Sequence, residues 1–64
     1  MPQQHIEINP KIMMGKPIIK GTRITVEQIL ENLSENNSID DVLQSHPHLT
    51  KDQVHAALSF AAQS

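Results

Sequence analysis

Residues 25–37 read "TVEQILENLSENN". Val26, Ile29, Leu30 and Leu33 fall at i, i+3, i+4 and i+7, one face of a 3.6-residue period. Thr25, followed three residues later by Gln28, forms a capping box and predicts a helix start at Thr25. Asn36 and Asn37 suit the left-handed exit at the other end. Downstream, Ser38 caps a shorter helix, with Asp40 and Asp41 favourable at its positive end. Ile39, Val42 and Leu43 form its buried side, and Pro47 ends it by biasing His46 away from helical geometry. Thr50 and Gln53 repeat the capping spacing, and Val54, Ala57, Leu58 and Ala61 repeat the apolar spacing. A third helix is therefore expected from Lys51 to Ala62. The second and third helices, joined through "HPHLT", have the proportions of a helix-turn-helix.

The 24 residues before this three-helix unit follow another rule. "HIEI" (residues 5–8) alternates as a half-buried strand does. Asn9-Pro10 is a turn pair, and "PIIKGTRI" (17–24) offers a second short strand with Pro17 near its start. Gly15 and Gly21, the two glycines of the chain, punctuate the segment. Strands this short do not stand alone in water. They must lie on the helices, pair with another chain, or both, and pairing across a homodimer is the arrangement expected here. The fold class is mainly α: one domain over residues 1–64, with a two-strand arm in 1–24 and a three-helix helix-turn-helix-like unit in 25–64.

With 64 residues and no cysteine, neither a disulfide nor a thiolate metal site can support the fold. No apolar run approaches the roughly 20 residues of a membrane span. "MPQQHIEINP" lacks the basic flank and apolar block of a signal peptide. A soluble, cytoplasmic protein is expected, with no membrane partner. Phe60 is the one aromatic residue, which argues against a base-stacking surface. The net charge is −2, but it is unevenly spread. Residues 11–23 carry +4 with no acid, whereas residues 24–64 carry −5. Such asymmetry is a stronger functional clue than the total.

Lys11, Lys16, Lys20 and Arg23 supply that patch. "GKPIIKGT" is not a phosphate loop, because a nucleotide-binding loop places Lys and Thr directly after its second glycine. Two readings stay open: edge-strand lysines that deter aggregation, and a polyanion contact. His5, His46, His48 and His55 match no metal-ligand spacing, and neither metal nor cofactor is expected. The carboxylates sit at cap and surface positions, and no serine has a partnered base. The chain reads as a non-enzyme with no catalytic residue and no small-molecule substrate. The third helix is a poor reader of bases. Its exposed face would carry Lys51, Asp52, Gln53, His55, Ala56, Ser59 and Gln63, of which Gln53 and Ser59 alone suit base contact.

"NPKIMMGKPIIKGTRITVEQILENL" and "SIDDVLQSHPHLTKDQVHAALSFAA" together resemble domain-of-unknown-function family 433, a group of small prokaryotic proteins. The resemblance runs from His5 to Ala62. It is most specific at Gly15, Lys16, Pro17, Gly21, Thr22 and Arg23. It implies a helix-turn-helix-related, commonly dimeric fold. It also implies an antitoxin-like role in a type II toxin–antitoxin module, binding a PIN-like ribonuclease toxin and operator DNA. Two positions depart from the pattern: His46 replaces an aromatic, and Met14 replaces a second glycine and stiffens its turn. The combined expectation is a homodimeric regulator that contacts DNA through Lys11, Lys16, Lys20, Thr22 and Arg23. The alternative is a protein-interaction or dimerisation module that binds no DNA.

Overall fold

The computed structural model describes residues 5–63; residues 1–4 of the arm and Ser64 lie outside it. Two short strands, β1 (Ile6–Glu7) and β2 (Ile18–Ile19), precede three helices, α1 (Val26–Ser34), α2 (Ile39–Ser45) and α3 (Lys51–Gln63). The strands pair antiparallel, Ile6 opposite Ile19 and Glu7 opposite Ile18. All three helices begin where the capping spacing places them. The Thr25 hydroxyl accepts from the Gln28 amide at 3.0 Å, and the Gln28 side chain accepts from the Thr25 amide at 3.1 Å. Thr50 and Gln53 exchange the same two bonds at 2.9 and 3.2 Å. α2 has a full capping box too, Ser38 with Asp41. Asp41 therefore does more than complement the helix dipole: its carboxylate accepts from the Ser38 amide at 2.9 Å.

The helix ends follow from the residues just beyond them. Asn36 adopts φ +70 after α1, the left-handed exit that asparagine tolerates better than most residues. His46 caps α2 in a non-helical conformation before Pro47. Its carbonyl then accepts from Leu49 at 2.9 Å, closing the turn toward α3. Leu49 is buried and belongs to the core, a role that its place in the polar "HPHLT" link conceals. It stands just before the Thr50 cap, with Val54 four positions into the helix. These are the two positions of a hydrophobic staple, and both are buried.

The core joins both halves of the chain. Ile6 and Ile19 from the sheet meet Val26, Ile29, Val42, Leu49, Val54 and Ala57 from the helical part, with Leu30, Leu33, Leu43 and Phe60 packed around them. Ala56 is also in this core at 8% exposure, which corrects its placement on the open face of α3. Ile18 points to the opposite face of the sheet from Ile19 and is likewise fully buried. Both faces of β2 are therefore covered.

Both edges of β2 are occupied as well. β1 lies on one side, and on the other Ile18 bridges Thr25 while the Ile19 amide donates to Ile24 at 2.9 Å. β2 thus finds its partners inside its own chain. The strand is also shorter than "PIIKGTRI" suggests, because residues 20–23 turn the chain back on itself. Finally, the Val26 amide donates to Pro17 at 3.0 Å. That bond satisfies one of the free N–H groups of the helix start and fixes α1 against the sheet.

Candidate functional site

The "KGTR" segment is the turn of a tight hairpin. The Thr22 amide donates to the Ile19 carbonyl at 3.0 Å, with Gly21 in the third turn position at φ +83. A type II turn reserves that place for glycine. The Thr22 hydroxyl donates to the same Ile19 carbonyl at 2.8 Å and accepts from the Ile24 amide at 3.0 Å. One hydroxyl thereby closes both halves of the loop. Thr22 is half-buried, whereas Lys20 and Arg23 on either side of it are exposed. Glycine sets the turn, threonine locks it, and the two cations are what the turn presents.

The remaining cations of residues 11–23 lie elsewhere. Lys16 precedes β2 and Lys20 follows it, so extended chain puts about 13 Å between them. Lys16 reaches Glu27 in the first turn of α1 at 3.4 Å, with both side chains largely in solvent. Such a pair contributes little to stability, but it places a carboxylate beside one of the expected contacts. Lys11 is exposed in the turn after Pro10, where its amide donates to the Asn9 side chain at 2.9 Å. The structure therefore places Lys20 and Arg23 on one loop, with Lys11 and Lys16 on the chain before β2.

α3 is occupied with structural work. Gln53 is used in its cap, and Ser59 accepts from Gln63 at 3.4 Å. Both side chains suited to base contact are thus engaged. Among the described residues, no group of three or more histidines or carboxylates could hold a metal ion, and no helix is long and apolar enough to cross a membrane.

Beside Lys16 runs a feature that sequence reasoning missed. An open groove of about 380 Å³ lies between the start of β2, α1 and α3. Pro17, Leu30, Phe60 and Ala61 form its apolar walls, and Lys16 and Glu27 stand on its rim. Its walls are half-buried, the signature of apolar residues that one small subunit cannot fully cover. In the sequence the signal is Phe60, a lone aromatic outside the main apolar stripe of α3.

The model of the family "Protein of unknown function (DUF433)" matches residues 6–61, nearly all of the described chain. The chain belongs to the DUF433 family. The crystal structure of a DUF433 member protein from Anabaena variabilis ATCC 29413 superposes with a TM-score of 0.92 at 27% identity. The match covers 97% of this chain and 61% of that one. An uncharacterized protein, y4eO, from Sinorhizobium fredii (strain NBRC 101917 / NGR234) is 26% identical over 53 residues. Those residues are 83% of this chain and 24% of that relative. This chain thus spans about a quarter of the length of y4eO and about three-fifths of the Anabaena protein.

Proposed function

We propose that this DUF433 chain is a non-enzymatic, antitoxin-like regulator that acts as a homodimer and grips the phosphates of its operator DNA through the Lys20 and Arg23 turn. The supporting observation is the turn itself, which is locked by the Thr22 hydroxyl and Gly21 and exposes two cations. No acid occurs between Glu7 and Glu27 to neutralise it. Arg23 offers a planar two-bond contact to phosphate or guanine that a lysine cannot copy. Thr22 acts as a positioning residue, since its hydroxyl is used within the loop. Lys11 adds charge at longer range, and Lys16 contributes in competition with Glu27. The resemblance to antitoxins adds a PIN-like ribonuclease as the protein partner.

A second reading is a protein-interaction module with no DNA partner. It is favoured by Glu27, Glu31, Glu35, Asp40 and Asp41, all exposed on α1, its C-terminal cap and α2, which suit the basic groove of a ribonuclease. A gel shift with the DNA upstream of the protein's own gene separates the two. Retarded DNA that is released by Arg23→Ala supports the first reading. Unshifted DNA, together with capture of the neighbouring gene's product, supports the second.

A further inference from the structure

Met14 is 90% exposed and sits at φ +59, between Met13 at φ +50 and Gly15 at φ +84. A side chain in this left-handed region costs stability that a glycine would not. No burial within the subunit offsets the cost, because nearly the whole side chain lies in solvent. The knuckle is nonetheless held firmly: Gly15 donates to the Ile12 carbonyl and Lys16 to the Met13 carbonyl, each at 3.1 Å. A strained, fixed backbone thus displays a bare apolar side chain two residues from the rim of an apolar groove. Among the described residues, Ile8, 58% exposed, is the other large apolar side chain left open. The strand register carried one residue further sets it opposite Pro17, on the groove wall.

We propose that the groove is the docking site for Met14 of a second copy of this chain. A knob beside a groove is self-complementary about a two-fold axis: each subunit's knob enters its partner's groove, as an isologous interface requires. A methionine fits this role because its flexible thioether fills irregular gaps and contacts aromatic rings favourably, and Phe60 lines the groove. The rim is complementary in charge as well, since Lys16 and Glu27 flank it and each can face its opposite across the axis. The interface leaves the Lys20 and Arg23 turn uncovered. It rests on the dimeric reading above.

The test is sedimentation equilibrium of the full chain and its variants. Met14→Gly is expected to raise the melting temperature of the dilute monomer, because it relieves the left-handed strain. The same change is expected to weaken self-association by roughly a hundredfold or more, because each dimer loses two buried methionine side chains. A purely structural role for Met14 gives the first effect without the second. Lys16→Glu and Glu27→Lys should each weaken the homodimer, and mixing the two variants should restore association as a heterodimer, which an ion pair within one chain cannot do. A wild-type chain that stays monomeric at millimolar concentration overturns the proposal, as does a dimer indifferent to Met14→Gly. If such an indifferent dimer still shifts operator DNA, this interface fails and the DNA reading stands. A Met14-dependent dimer with no DNA affinity supports this interface and removes the DNA reading.

Discussion

Replacing Thr22 with valine keeps the shape of the side chain and removes one oxygen. That oxygen donates to the Ile19 carbonyl at 2.8 Å and accepts from the Ile24 amide at 3.0 Å. The Ile19 carbonyl keeps a partner, since the Thr22 amide still donates to it at 3.0 Å. The Ile24 amide loses its bond in a half-buried loop. A typical hydrogen bond contributes about 1 kcal/mol net, and a stranded donor costs more. Thr22→Val should therefore destabilise the chain by about 2 kcal/mol. For a domain of this size that corresponds to a melting temperature lower by roughly 8–16 °C. Thr22→Ser keeps both bonds and should melt close to the wild type. Thermal melts followed by circular dichroism measure both variants. If Thr22→Val melts alongside the wild type, the hydroxyl does not hold the turn. If serine is as damaging as valine, the methyl group is what matters.

Gly21→Ala places a Cβ in open space, since nothing lies within 4 Å of it. Its cost is the left-handed backbone at φ +83 alone, about 1–2 kcal/mol, visible as a lower denaturation midpoint with an unchanged slope. Leu49→Ala empties a core site that is 6% exposed. Such truncations cost about 2–5 kcal/mol, enough to leave this small domain largely unfolded by circular dichroism at room temperature. A cooperative melt near that of the wild type would show that the turn before α3 does not depend on its staple.

The helices were legible because three independent signals coincide in them: capping pairs, apolar spacing, and breakers such as Asn36 and Pro47. Each acts within a few residues, so no knowledge of distant neighbours is needed. The arm was legible only as short strands, because β2 is defined by what lies beside it. Its second partner, Ile24 and Thr25, belongs in sequence to the helix start. The burial of Ala56 and Leu49 also depends on packing between elements, which local polarity does not disclose. In the candidate site, the cationic segment was visible from composition, but its shape was not. The threonine lock decides that Lys20 and Arg23 share one loop, while Lys16 stands before β2, beside Glu27. The groove at Phe60 left almost no trace, since it forms where three separated segments meet.

A phosphate grip by the Lys20 and Arg23 turn is tested most directly by operator affinity as a function of salt, for wild type and Arg23→Ala. Each lost phosphate contact removes about 0.9 from the slope of log affinity against log salt, so a dimer losing two should show a slope shallower by about 1.8. Parallel lines for the two proteins would contradict that grip and leave this turn as a well-locked surface loop.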